Sequence, residues 1–461
     1  MSVNINSWKL SSVSKDFKVG LKDYSLLNFG GTPLKDFLVN QSYVKDINSG
    51  RTPSRFNTEY WGGDYEFITM ADVNTHLYEL NKETIDSITE DAVTLEKTLL
   101  QVPPNSLIIS NAMTIGLAFI VDRPVYINQN VFWVNIDENR INKKFLLWYM
   151  NSIVRKNFQK IYSTKYISKK ELSRITIPNI SISNQKKFEL DISPLEMEMK
   201  KLEEKIISMS TVIDIAFASY FKYDYKKFNS LKQNIFYSSL LQYGNNIDLR
   251  CSAKFHRPAG EFVYQELQRK SYKKLKDIVS EPISLGASIS PKEFDESGIA
   301  YYVSMATIKT YEVELDDTQL VSHDYYEKNK AKTIQKDDII IARSGVSIGK
   351  IAIIKEEFDG IFADFTMRIR IDKTKYIPLF AYYYFRSKYF QYLIEINKKG
   401  LQNQNIFPIN IQEFPIPDIL LSEQQKIVDM INAEIDKQKE IENQINEKKS
   451  EIEKMINAML K

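Results

Sequence analysis

Ile175–Phe188, ITIPNISISNQKKF, and Phe414–Ile427, FPIPDILLSEQQKI, are one phrase written twice. They stand 239 positions apart, so Pro178 answers Pro417 and Gln185 answers Gln424. Upstream, FLLWYMNS (Phe145–Ser152) answers FAYYYFRS (Phe380–Ser387) at an offset of 235. At the same offset NVFWVNID, ending at Asp137, answers FTMRIRID, ending at Asp372, and FITMADV (Phe67–Val73) answers YVSMATI (Tyr302–Ile308). SLIISNAMTIG, ending at Gly116, answers DIIIARSGVSIG, ending at Gly349, at 233. LKDFL at Leu34 and LKDIV at Leu275 open the copies at 241. Six matches in one order, with offsets that drift by a few residues, are an internal repeat with small loop insertions.

Each copy reads as a mixed α/β unit of about 150 residues followed by a helix. The fold class is α+β, with two similar units in tandem. Short alternating strands are broken by Gly- and Pro-bearing turns such as SGRTPS (Ser49–Ser54) and YWGGD (Tyr60–Asp64). Aromatic residues at helical spacing predict one helix per unit, at Lys143–Lys160 and Leu379–Ile396. The expected divisions are an arm at 1–33, a first α/β domain at 34–183, and a central helix at 184–222. A linker at 223–270, a second domain at 271–421 and a C-terminal helix at 422–461 follow.

The segments after the units carry heptad seams. The first runs Leu195, Met199, Leu202, Ile206, Met209, Ile213, Ala216, Tyr220, with Ser193 and Pro194 expected at its start. The second runs Ile427, Ile431, Glu434, Gln438, Ile441, Ile445, Lys448, Ile452, Met455, Met459. Equivalent places in a repeat make a pseudo-two-fold, antiparallel pairing available. A 35-residue helix spans roughly 50 Å, about 15 base pairs of duplex.

Composition narrows the function. The chain has 461 residues, 62 basic against 59 acidic side chains, one cysteine and three histidines. A single thiol, Cys251, excludes a disulfide framework and a Cys-rich zinc site, and suits a reducing compartment such as the cytoplasm. His76, His256 and His323 are too far apart for a local metal motif. A net charge of +3 does not announce a nucleic-acid binder, so any such role must come from local patches. The most apolar run, Ser106–Val121, is shorter than the 18 or so residues of a spanning helix, and no membrane role is expected.

The duplicated layout resembles the specificity subunit of Type I restriction–modification systems, from about Leu34 to Lys461. The residues that carry the resemblance are SGRTPS followed by EYWGGDYEFITMADV in the first unit, and DIIIARSGVSIGKIAII with IPDILLSEQQKIVDMI in the second. The most diagnostic phrase is IP, three or four residues, then S-x-Q and a long helix. The resemblance implies two target-recognition domains, each reading half of a split double-stranded DNA sequence. It implies paired helices that act as spacer and dock two methyltransferase subunits, here along 188–221 and 423–461. A motor-nuclease subunit would complete the restriction complex. The specificity subunit would have no active site, so S-adenosylmethionine, ATP and Mg would belong to partner subunits. The arm at 1–33 and the stretch Lys222–Lys274, with DLRCSAKFHRPAGEF, depart from the commonest pattern. The latter resembles a linker of some members and of Type II specificity proteins. A Type II partner, or a scaffold that reads no DNA, stand as alternatives.

Enzyme motifs are missing where they would have to be. The one Pro-Pro pair, in QVPPNS, lacks the preceding Asn or Asp of an adenine methyltransferase loop. GVSIGK at Gly345–Lys350 has the wrong spacing for a phosphate loop and reads as a turn between strands. Glu423 and Lys426 are nuclease-type residues, but they open a helix, where Glu is an ordinary dipole partner.

Phosphate contacts call for Lys and Arg on one face, and base readout calls for side chains with two hydrogen-bonding groups. The richest basic stretch is Arg155–Arg174, interleaved with Phe158, Tyr162 and Tyr166; within it Lys160, Lys165, Tyr166, Lys169 and Lys170 are candidates. Its repeat partner, Lys398–Asn410, offers Lys398, Lys399, Gln402, Asn403, Gln404 and Asn405. Amides can bond adenine edges bidentately beside phosphate-holding lysines. Arg51, Thr52 and Arg55 in the first unit's turn, and Arg343 and Ser344 in the second, complete the candidate set. Solvated loops or plain surface turns are the competing reading of each.

Overall fold

The computed structural model describes residues 30–161, 166–233, 235–237, 239, 241, 252–269, 271–309, 312–313, 315, 318–400 and 404–460. The chain divides into two compact units. Unit 1 holds residues up to Ile206 together with those from Glu440 onward, and unit 2 is Ile207–Lys439. No helix among the described residues is long and apolar enough to cross a membrane.

Unit 1 is built on a six-stranded sheet ordered Ile47–Asn48, Val131–Val134, Ser106–Ser110, Ala118–Val121, Glu79–Leu80, Val73–Asn74. All five residues of Ser106–Ser110 are buried, which is why its apolar run shows no alternation. A four-stranded sheet sets Asp86–Ile88, Trp61–Ile68, Val125–Ile127 and Leu100–Val102 side by side. The helical segment Lys143–Tyr149 continues through one π turn, Met150–Val154, into Arg155–Ile161. Its Phe145, Leu146, Trp148 and Tyr149 are fully buried among the apolar residues of the larger sheet. Each such burial contributes about 1.5–3 kcal/mol.

Unit 2 repeats this plan. Its six-stranded sheet has the matching order Ser284–Leu285, Thr366–Ile369, Ile339–Ala342, Ile351–Ile353, Glu312–Val313, Ile308–Lys309. The parallel pairing of Phe67 with Tyr126 returns as Tyr302 with Ile361, both partners displaced by 235. GVSIGK is the turn between Ile339–Ala342 and Ile351–Ile353. The helix expected at Leu379–Ile396 is two, Pro378–Arg386 and Lys388–Asn397, parted where Ser387 turns extended. Within 223–270, expected as a linker, Tyr225–Ser230 and Pro258–Gln268 are helices. Their Phe228, Val263 and Leu267 are buried in the unit's core.

The repeated Ser-x-Gln phrase has a structural explanation. Gln185 and Gln424 are buried. Gln185 accepts the Asn142 N–H (2.8 Å) and donates to the Ile180 carbonyl (2.8 Å). Gln424 accepts the Ile377 N–H (2.8 Å) and donates to the Ile419 (3.1 Å) and Lys375 (3.2 Å) carbonyls. In each unit one amide ties the start of the long helix to the start of the earlier one. Tyr149 and Tyr384 add equivalent bonds, from their hydroxyls to the carbonyls of Thr176 (3.1 Å) and Pro415 (2.7 Å).

The central helix differs from its expectation in two ways. It begins at Ile182, capped by Ser181, so Pro194 lies inside α1 (Ile182–Glu203) and does not open it. It also breaks after Glu203 and restarts, capped by Ser208, as α2 (Met209–Phe221). The heptad spacing runs through the break because spacing records burial and not backbone continuity: Ile206 packs in the core of unit 1 and Ile207 in that of unit 2. The C-terminal helix α3 (Leu421–Met459) is continuous over 39 residues.

In unit 1, α1 meets the end of α3 antiparallel. Asn184 and Lys187 lie by Met455 and Met459, and Glu198 pairs with Lys448. In unit 2, α2 meets the beginning of α3 in the same sense. The Tyr220 hydroxyl donates to Glu423 (2.8 Å), and the Ile207 N–H at the break donates to Gln438 (2.9 Å). The buried seam of α3 is Ile427, Ile431, Ile435, Ile445, Ile452 and Ile456. Ile435 thus takes the buried place expected of Glu434 and Ile456 adds to the inner stripe, while the expected Ile441, Met455 and Met459 are half-buried against the core of unit 1.

Candidate nucleic-acid interface

In unit 1 four loops converge at one end of the sheets. The first is the turn after Gly50, which passes so close to the next loop that a Cβ there would fall 1.8 Å from the Ile127 carbonyl oxygen. Thr52 on that turn donates its hydroxyl to Gln129 Oε1 (2.8 Å). Asn111 joins the remaining loops. Its N–H donates to the Asn130 carbonyl (3.0 Å), its side-chain amide donates to the Gln129 carbonyl (3.0 Å), and its own carbonyl accepts the Ile167 N–H (3.0 Å).

Unit 2 makes the same four bonds with different side chains. Gly286 lies as close to its neighbour loop, 2.1 Å from a Cβ to the Phe362 carbonyl oxygen. The Ser288 hydroxyl donates to Asp364 Oδ2 (2.8 Å). Arg343 takes the place of Asn111. Its N–H donates to the Phe365 carbonyl (2.9 Å), its Nε to the Asp364 carbonyl (2.8 Å), and its carbonyl accepts the Ile406 N–H (2.9 Å). Backbone bonds hold both faces in one shape, while Thr52/Ser288, Gln129/Asp364, Asn130/Phe365 and Asn111/Arg343 vary the chemistry.

The sequence-derived candidates distribute unevenly. In unit 1, Arg51 is exposed beside Thr52, and Tyr166 is 54% exposed with its ring edge against Phe132. Lys169 and Lys170 are half-buried in a short helix closed by a Ser168–Glu171 capping box, and burial lowers the Lys169 pKa. Arg55 is already engaged: it pairs with Asp86 at 2.6 Å and lies 3.7 Å over the Trp61 ring. Phe158, read as an interleaved surface aromatic, is fully buried, so it is a core residue. Lys156 of the same stretch pairs with Glu453 (2.8 Å). Lys160 stands on the helix Arg155–Ile161, and Tyr162 and Lys165 lie outside the described residues.

In unit 2 the amide loop is a narrow hairpin in which Lys399 and Asn405 exchange both backbone bonds at 2.8 Å. Ser344 bridges to Asn405, so the Arg343 turn and this hairpin form one surface. Arg343 also lies 5.9 Å from the Phe407 ring. Lys398 pairs with Glu395 at 2.6 Å, so its charge is already engaged. Gln404 is half-buried beside Asn405; Gln402 and Asn403 lie outside the described residues.

Four positions on these faces escaped the sequence reading: Met113 (87% exposed, φ +60°), Gln129 and Phe365 (51% exposed), which are exposed, and Asp364, which is half-buried. Extending the repeat offset of 235 one step before NVFWVNID would have paired Gln129 with Asp364. Among the described residues no group of three or more His, Cys, Asp or Glu could hold a metal ion. Glu423, weighed as a nuclease residue, accepts from Tyr220 (2.8 Å) and from the Leu420 N–H (3.1 Å), which hold its carboxyl below the ordinary range. It acts as a helix cap.

Two α/β units of one plan, each ending in a bonded face of the same shape and unlike side chains, define a duplicated protein with two candidate recognition surfaces. The family model for the Type I restriction modification DNA specificity domain matches residues 39–208 and again 269–451, and the chain belongs to that family. It is 27% identical over 173 residues to the specificity subunit of the type I restriction enzyme MjaIX of Methanocaldococcus jannaschii, covering 36% of this chain and 40% of that one. It is 23% identical over 168 residues to the HindI specificity subunit of Haemophilus influenzae, covering 36% and 34%. The matches thus span well under half the length of these relatives. The S subunit of a type I restriction–modification system from M. genitalium aligns over 90% of this chain and 92% of its own, at 14% identity and a TM-score of 0.32.

Proposed function

We propose that this chain is the DNA-reading, non-catalytic subunit of a Type I restriction–modification complex. The observation that carries the reading is the duplicated face: one hydrogen-bonded frame, occurring twice, with different hydrogen-bonding side chains on each copy. A frame held by backbone bonds positions, and the side chains it presents specify. Each face reads one half of a split double-stranded target, and the two half-sites differ because the side chains do. Arg51, Lys169 and Lys170 in unit 1, and Lys399 in unit 2, hold phosphates beside them. The helices over 188–221 and 423–461 act as spacer and dock two methyltransferase subunits, and motor-nuclease subunits complete the assembly. S-adenosylmethionine, ATP and Mg work on those partners.

The test is selection from a random-sequence duplex library at about 150 mM salt, with the full chain alone and with a methyltransferase subunit. Enrichment of two short motifs at a fixed gap is the expected result. Binding without sequence preference in both arms would overturn the reading in favour of a scaffold.

A further inference from the structure

Gln129 and Asp364 occupy equivalent places on the two faces, and each is held by one hydroxyl, from Thr52 and from Ser288. Thr52 engages Gln129 at Oε1 and Ser288 engages Asp364 at Oδ2, and Gln129 Nε2 and Asp364 Oδ1 make no further bond among the described residues. Asp364 lines a cleft of about 360 Å³ with Ser288, Tyr302, Met305 and Phe365. Two hydrogen bonds tie the wall of that cleft to the backbone: the Tyr302 hydroxyl donates to the Ala287 carbonyl (2.8 Å) and Tyr325 to the Ser288 carbonyl (2.9 Å). Burial pushes the Tyr325 phenol up to about 12 and raises that of Tyr302 as well, so both remain donors.

A carboxylate on a surface that meets a polyanion is repelled by the phosphates unless it finds donors there. In the major groove those donors are the exocyclic amino groups of cytosine and adenine. An ionised carboxylate only accepts, so guanine O6 and thymine O4 offer it nothing. An amide both donates and accepts, and matches the N7 and N6 edge of adenine.

On the reading proposed above, we propose that these two positions set the difference between the half-sites: Asp364 selects a base with an exocyclic amino group, and Gln129 selects adenine. The chain is purified from its host through a tag, with whatever subunits it carries, and wild type, Asp364→Asn and Gln129→Glu are each put through the random-duplex selection. Asp364→Asn keeps the acceptor for Ser288. It is expected to relax one position of one half-site, a position that is cytosine or adenine in the wild-type motif, with discrimination there falling by about 5- to 150-fold. Gln129→Glu is expected to move one adenine position of the other half-site toward cytosine. A split motif that both variants leave unchanged, or a relaxed position that was guanine or thymine, overturns the assignment alone. A wild-type chain that selects no split motif removes the DNA reading and the assignment with it.

Discussion

A single lysine shows how far a side chain's role depends on where the fold puts it. Lys449 follows Lys448 on α3; in the sequence Lys448 falls on the heptad seam and Lys449 on the charged face beside it. Lys448 pairs with Glu198. Lys449 instead donates to the Thr75 carbonyl (2.6 Å) and lies 4.4 Å from the Tyr78 ring, with Arg155, Glu453 and Glu203 around it. Burial, followed by repulsion from Arg155, pushes its ammonium down to about 8. The unfolded chain keeps that proton until the ordinary lysine value of about 10.4. Between those two values the unfolded state binds more protons, so this group makes stability rise with pH there; below about 8 its penalty is complete. Urea unfolding at pH 7.5 and 9.5 is expected to show that rise in the wild type and a flatter profile in Lys449→Met. Equal slopes in the two proteins would refute it.

At the scale of elements, the joint between sheet and helix is set by a buried amide in each copy. Gln424→Leu preserves bulk but strips the Ile377 N–H and the Ile419 and Lys375 carbonyls of their partner. Unpaired buried groups cost about 1–3 kcal/mol, and a drop of that size in the urea-derived stability is the expected outcome; Gln185→Leu should do the same through Asn142 and Ile180. The phrase that identified the repeat is therefore legible because its geometry is needed twice. The break in the central helix was not legible. Its apolar spacing is unbroken, and Ser208 is one of many serines until the structure shows its hydroxyl accepting the Thr211 N–H at 3.2 Å. The register of α3 was legible to within one position, since Ile435 and Ile456 adjoin the expected Glu434 and Met455.

For the whole molecule, a net charge of +3 gives no long-range pull on DNA. On the proposed DNA-reading function, affinity then rests on a few placed cations, and it should be salt-dependent in proportion to them. Converting Lys169 and Lys170 to Ala is expected to weaken binding to all sequences alike and to reduce the magnitude of the salt slope by about 2, near 0.9 per lost phosphate contact. Titrations of wild type and variant between about 50 and 200 mM salt check this. A change confined to one sequence, with the slope intact, would reassign these lysines from phosphate to base contact.

The amino-acid sequence by itself determined that the chain is a duplicated α/β protein with a helix after each copy, and among the residues it singled out are Arg51, Thr52, Arg343 and Asn405, which stand on the two hydrogen-bonded loop clusters. Repeats, strand cores and helix stripes are local or periodic patterns, and burial writes those directly into residue order. The tertiary structure decided which side chains stand on the faces and which are spent elsewhere. Arg55 belongs to Asp86, Lys398 to Glu395 and Phe158 to the core, whereas Gln129 and Asp364 are presented. These outcomes depend on loops brought together from four separate parts of each unit, and no local pattern encodes a contact between residues 77 positions apart such as Thr52 and Gln129.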